Sequence, residues 1–494
     1  MPAVAKLSVA EAASPGGYAL ALGIALAAVF VVAMPLLISR SVIVPASEST
    51  LYDVAKILFW IFALGVWFLP LRWSFLSLLL VMQVDVVAPE FVGASSVGWE
   101  NAIRVLVLPA LVLWRVLPAH SRKFVWTKSV QLWVVFVLYV ALAGLWSPYK
   151  LATAKMVGYL LCYFVLFWAF YWGWQRNIID AGLVSIALWG SLALGCFQSF
   201  VLGNPMDAWE QRFSSFCWPQ AFGPWLASVL SVLLFHQGKI RFRWAAVVCC
   251  LTAMVMSGSR LAFVGSGFVF LAVWLQRMLK GKESLTLLSL VKSISGTGAT
   301  LLVLCAVVLY SAPTNRLREL LLLGGHDYQS ATDIGTVAAR FMTYEAVLSE
   351  LSSRNFARLL FGTGTSTGGE VVVNYNLVTT VGFLHSDYVD PNRSLNSDLF
   401  KTLYEWGGVG LLLGSLLIVR MVRSAWHLGI RQRSVPGFAL LGVLPMILLG
   451  LGEDNILVGS ASPIGVGMVL VVAWASTESA PIADSRPISA RTRS

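Results

Sequence analysis

About fourteen apolar runs, most of them near the ~20 residues a helix needs to cross a bilayer, recur along this chain and leave it little choice of fold. They begin near Gly17, Leu51, Trp73, Trp99, Ser129, Met156, Ile178, Gln220, Trp244, Leu261, Ile294, Asp398, Pro436 and Ile456. Those near Trp73 and Trp244 are short, so either can be partly re-entrant. Composition points the same way. Of 494 residues 58% are apolar, 12% are charged and 20 are Trp, and mean hydropathy is +0.77; a soluble globule carries roughly 25% charged residues. The fold expected is an all-α polytopic membrane protein.

The formal net charge of +11 raises the question of nucleic acid. The basic residues, however, fall in short clusters between apolar runs and form no single stripe, so no nucleic-acid partner is expected. They read as topology signals, because Lys and Arg in short loops are retained on the cytoplasmic side. Arg115 to Lys128, Lys239 to Arg243, Arg277 to Lys292 and Arg420 to Arg433 fall between alternate pairs of runs. Both termini are then cytoplasmic, and the loops 85–100, 207–219 and 453–455 face outward. Residues 1–16 form a short cytoplasmic N-terminus, 17–475 one integral domain, and 476–494 a disordered cytoplasmic tail rich in Ser, Pro and Arg. The first apolar run, Tyr18 to Ile38, is long enough to remain as a helix, and no cleavable signal peptide is evident.

One stretch breaks the apolar pattern. From Pro313 to Asn396 the chain is polar for roughly 80 residues, far beyond an ordinary connection and therefore a functional segment. By the charge rule it is an outward loop, 313–397, between the eleventh and twelfth spans. Within it, 335–360 has helical spacing and is expected to lie as one helix against the membrane. Gly362, Gly364, Gly368 and Gly369 break that helix, and 370–381 reads as extended or loop. Five of the six cysteines fall in expected spans, so no disulfide framework is expected. No CxxC, HExxH or GxxxxGK[ST] pattern is present, and neither a metal nor a nucleotide site is expected.

Four local patterns place polar groups on the outward side. In Ser257-Gly258-Ser259-Arg260 an ionisable group meets the end of an apolar run, where it is costly without a partner; a snorkelling arginine that anchors the helix end is the alternative. Arg212, followed by Pro219, Gln220 and Gly223, presents a guanidinium beside free backbone donors at a helix start, a combination suited to an anion; pairing with Glu210 or Asp207 is the alternative. Arg340 and Tyr344 stand at i,i+4 ahead of Gly362-Thr363-Gly364 and can address one ligand. Arg354 and Arg358 share a face that can meet anionic headgroups. Last, Asn396-Ser397-Asp398 leads to Lys401, Glu405 and Gly407. A shielded carboxylate there can act as a base, or the group can be an N-cap at Asn396 or Ser397 followed by a Lys401–Glu405 pair.

Taken in order, Leu145-Trp146-Ser147-Pro148 with Lys155, Arg212 to Gly223, Ser257 to Arg260, Arg340, Gly362 to Gly364 and Asn396 to Gly410 resemble the O-antigen ligase and Wzy-type polysaccharide polymerase superfamily. The resemblance implies a GT-C-like integral glycosyltransferase of the bacterial inner membrane. It acts on the periplasmic side, without cofactor or metal, on an undecaprenyl-diphosphate-linked glycan. It implies diphosphate binding by Arg212, Arg260 and Arg340, a base among Asp398, Glu405 and His385, and substrate positioning by Tyr344, Asn396 and Ser259. A polysaccharide co-polymerase and a flippase are the implied partners. Members often carry His before the Asn of the last pattern, where this chain has Leu395. That departure favours polymerisation of an exopolysaccharide, capsule or O-antigen over ligation to lipid A core. A lipid-linked glycan transporter is the reading of another class, but the charges cluster at one face and no two halves match.

Overall fold

The computed structural model describes residues 48–84, 99–117, 128–202, 213–217, 219–236, 240–280, 336–374, 397–450 and 463–479. The spans expected near Gly17 and Ile294, the first 16 residues, and Arg212, His385 and Asn396 lie outside them. The described residues form helices and no strand. In chain order these are α1 (Glu48–Phe68), α2 (Leu71–Val81), α3 (99–116), α4 (Lys128–Ala143), α5 (Lys150–Gln175), α6 (Ala181–Val201), α7 (Pro219–Phe235), α8 (Arg243–Ser257) and α9 (Arg260–Lys280). After the polar segment begins come α10 (Thr336–Ser352), α11 (Phe356–Phe361) and α12 (Gly368–Asn374), then α13 (Asp398–Arg431), α14 (Val435–Gly450) and α15 (Pro463–Ser479).

Among the described residues four helices are long and apolar enough to cross a membrane: Lys150–Gln175, Ala181–Val201, Leu261–Leu279 and Asp398–Arg431. Shorter apolar helices accompany them. The two short runs are indeed short: α2 has 11 residues and α8 has 15, and at 1.5 Å per residue α2 covers only about 16 Å. Several expected boundaries shift. The helix expected from Met156 begins at Lys150, so Lys155 lies within it, and α15 continues to Ser479, past the boundary drawn at 475.

Helix α7 is the centre of the bundle. Every residue from Phe222 to Leu233 is buried, as suits a helix apolar on all sides. Helices α6, α8, α9, α14 and α15 pack around it. A second group, α1, α2, α3 and α5, joins through the same continuous core, which contains Phe75, Trp168, Phe170 and Trp225.

Three arginines close helix ends at one end of the bundle. Arg115 donates through Nη1 to Val66 O and through Nη2 to Leu69 O, each at 2.7 Å, and also reaches Ser74 Oγ at 2.7 Å. Arg176 donates to Val116 O at 2.8 Å, and Arg243 donates to His236 O. These carbonyls are the acceptors a helix leaves unsatisfied in its last turn, where the dipole also favours a cation. At the same end Arg72 Nη2 stands 3.0 Å from both carboxylate oxygens of Asp180, which caps α6 by accepting Leu183 N–H. Helices α2, α6 and α8 start at this basic end and carry Val84, Ser199 and Ser257 to the other. Helix α5, which ends beside Arg176, begins there at Lys150.

Candidate functional site

The end opposite the arginine caps is organised by a break in α13. Asp398 to Trp406 is helical, with Ser397 as N-cap accepting Phe400 N–H at 3.4 Å. Gly407 then adopts φ 61°, ψ −161°, and the helix resumes beyond it. That backbone region is closed to residues with a Cβ. The break frees carbonyls in the middle of a helix, and a buried carbonyl needs a donor. Tyr404 O accepts Thr363 N–H at 3.1 Å and Thr363 Oγ1 at 2.9 Å, Glu405 O accepts Gly364 N–H at 2.9 Å, and Trp406 O accepts Tyr139 Oη at 2.9 Å. The backbones touch here. A Cβ on Gly407 would lie 2.5 Å from Gly362 N, and one on Gly362 (φ 78°) would overlap Glu405 O. The Gly362-Thr363-Gly364 turn is therefore the piece that closes the gap in α13.

The loop 362–368 wraps the Glu405 side chain. Its Oε2 accepts Ser366 N–H at 2.8 Å, and its Oε1 accepts Gly368 N–H at 3.1 Å and lies 3.9 Å from Lys401 Nζ. The carboxylate is fully buried, and the Lys401 side chain is 2% exposed. Thr365 ties the loop to the helices below. Its Oγ1 donates to Val140 O at 2.7 Å and accepts Trp406 Nε1–H at 3.0 Å, while its carbonyl accepts Ser147 Oγ at 2.6 Å. Trp406 in turn stands edge-on to Phe136, with centroids 5.4 Å apart. Of the four residues Leu145-Trp146-Ser147-Pro148, the serine hydroxyl is the one that holds the loop.

Two expectations for this segment need correction. The single helix expected over 335–360 is two, because Asn355 caps α11 by accepting Arg358 N–H at 2.9 Å and so ends α10 before it. Gly368 and Gly369 open a helix, α12, where a break followed by extended chain or a loop was expected; the Glu405 carboxylate accepts its first N–H, that of Gly368. Helix α10 packs on the first turns of α13 through Ala346, Val347 and Leu351 against Tyr404, with Val371 of α12. The Tyr344 ring lies over Phe400 at 4.5 Å. Arg354 turns inward, away from headgroups: its side chain is 4% exposed, 3.4 Å from Glu350 and 4.0 Å above the Tyr404 ring. Its Nε and Nη1 have no hydrogen-bond acceptor among the described residues.

A second cluster at the same end joins two of the sequence patterns. Phe213 N–H bonds Met256 O at 3.1 Å. A Cβ on Gly223 would lie 2.5 Å from Ser259 Cβ and 2.9 Å from Ser257 Oγ, so α7 passes directly under the Ser257–Arg260 turn. Gly258 makes that turn at φ 62°, and Ser259 is buried and caps α9 by accepting Ala262 N–H at 3.4 Å. Ser214 and Ser215 are fully buried beside it. Arg260 is the first residue of α9 and Arg340 lies in α10. Asp398, Glu405 and Tyr344 thus share one cluster, and Ser259 belongs to the other.

Arg104 was not singled out from the sequence, although a lone arginine inside an apolar run is a usable signal. It is 2% exposed, sits in a π-helical turn, Ile103–Val107, and donates to Val84 O at 2.7 Å. Such turns recur at functional sites.

Between α4, α5, α13, α14 and α15 runs a cavity of about 280 Å³. Asp398 and Thr402 line it at the loop end. Phe164, Ile418 and Met421 form apolar walls along its length, and Ser476 lies toward the basic end. Asp398 is fully buried, and the backbone oxygen it offers Thr402 Oγ1 is 2.7 Å away. Among the described residues no three His, Cys, Asp or Glu side chains come together as a metal site. No protein-family model matches the chain, and no curated protein matches it.

Proposed function

We propose that the chain is a polyprenyl-diphosphate-dependent glycosyltransferase that joins lipid-linked oligosaccharide repeat units into a polysaccharide at the outer face of a bacterial inner membrane. The observation that carries this reading is the cavity itself: an apolar trench along α13 with a buried carboxylate, Asp398, at its loop end. A long isoprenoid chain suits the walls, and its diphosphate and glycan then lie toward the loop end. Arg212, Arg260 and Arg340 are proposed to take the diphosphate, since guanidinium groups bind such oxygens bidentately.

In the proposed step the acceptor hydroxyl oxygen attacks the anomeric carbon of the donor. The bond from that carbon to the diphosphate oxygen breaks, configuration inverts, and undecaprenyl diphosphate leaves with the bonding pair. The hydroxyl proton passes to Asp398. Glu405 is a less suitable base than Asp398, because both of its oxygens already accept backbone N–H groups of the loop; its role is to hold that loop.

The test is reconstitution of the purified protein in vesicles with lipid-linked repeat units. Longer products support the reading. Arg260→Ala and Arg340→Ala should each lower extension by about 10²- to 10³-fold, the usual cost of losing one donor to a developing negative charge, and Asp398→Asn should do so with substrate still bound. Movement of the lipid across the bilayer without new glycosidic bonds would instead make the protein a transporter.

A further inference from the structure

We infer that α11 is a membrane-interface foot, seated among the lipid headgroups at the site end of the bundle. No residue of α11 is buried, although it lies in the middle of the polar segment's packed lobe. Phe356 is 77% exposed and Phe361 46%. A soluble lobe has no reason to present two phenylalanines on one short helix.

The surface continues onto α4, one of the shorter apolar helices. On α4, Leu138 and Leu142 are 64% and 51% exposed, and Leu145 and Trp146 just beyond it are 71% and 41% exposed. Tyr139 Oη donates to Phe361 O at 3.2 Å, and Ser147 Oγ holds the loop that follows α11. The apolar stripe of α4 therefore runs upward through Leu145 and Trp146 onto α11. The only charge on α11 is Arg358, which is exposed and projects from the side of the helix opposite Phe356. Phe356 and Leu359, which is 38% exposed and about 60° from Phe356 around the helix, on one side, a lone cation on the other and a tryptophan at the rim are the chemistry of a phosphate-bearing lipid interface. Because Gly362 follows directly, the foot fixes how far the loop 362–368 stands above the hydrocarbon. None of this depends on the reaction proposed above.

The test uses nitroxide labels on Phe356→Cys, Arg358→Cys and Leu359→Cys of the full chain. The protein sits in nanodiscs of phosphatidylethanolamine and phosphatidylglycerol, with labelled wild type recording the native cysteines. Collisions with oxygen, which concentrates in lipid, are compared with collisions with a water-soluble nickel chelate. Labels at 356 and 359 should favour oxygen, and the label at 358 should favour the chelate. Equal chelate access at 356 and 358 would place the helix in water and overturn the inference. Protection of 356 from both relaxants would mean that another protein surface covers it, and would overturn it equally.

Discussion

Replacing Gly407 by Ala tests whether the broken helix holds the loop. At φ 61°, ψ −161° a Cβ costs about 2 kcal/mol of backbone strain. The added carbon also lies 2.5 Å from Gly362 N and 2.6 Å from the Leu360 carbonyl carbon, closer than real contacts allow, and both obstacles are backbone. The chain can relieve this by letting α13 run straight. The carbonyls of Tyr404 and Glu405 then bond within the helix, and Thr363 N–H and Gly364 N–H lose their acceptors, at about 1 kcal/mol each. Whichever course the chain takes, bent or straight, the cost is about 2 kcal/mol, which corresponds to about 30-fold in an opening equilibrium. Hydrogen exchange followed by mass spectrometry reads that equilibrium directly. Amides of 363–368 should exchange about 30-fold faster in Gly407→Ala, with α7 unchanged. Gly414→Ala, seven residues on, where a Cβ meets nothing within 4 Å, should leave the loop as protected as in wild type. Unaltered protection in Gly407→Ala, or equal acceleration in Gly414→Ala, would refute the account.

Glu405→Gln keeps the shape but leaves Lys401 buried beside a neutral group and one backbone donor without an acceptor. It should weaken protection at Ser366 and Gly368 by about 2–3 kcal/mol, and adding Lys401→Met should restore part of the loss in a double-mutant cycle measured by the same exchange. Arg115→Ala removes the hydrogen bonds to Val66 O, Leu69 O and Ser74 Oγ from the α1–α2 corner and should lower the thermal midpoint in detergent by several degrees. Arg115→Lys should recover little of it, because one ammonium cannot span Val66 O and Leu69 O as the planar fork does.

What could be read from the sequence was local. The Ser397 cap and the Lys401–Glu405 pair follow from spacing along one helix, as do the positions of α4, α7, α8 and α14. The break between α10 and α11 was missed, although Asn355 offers a cap that competes with continuing the helix. What else escaped depended on partners far along the chain. Two glycines are poor helix formers, and Gly368 and Gly369 begin α12 only because Glu405, 37 residues on, accepts Gly368 N–H. Nothing near Gly362 announces that it packs against the backbone at Gly407. Arg354 looks like a surface residue until Tyr404 is brought over its guanidinium.

The arginine caps imply that charge is used twice, at different times. In the orientation expected from the positive-inside rule, a residue such as Arg115 would act first during insertion, holding its end of a hairpin back from translocation, and for that any cation would serve. Once the helices assemble, the same guanidinium stitches Leu69, Val66 and Ser74 together, and for that only a fork of donors serves. An arginine-to-lysine swap at this end should therefore separate two properties usually studied as one: the chain will thread the membrane in the right sense and still assemble into a looser bundle.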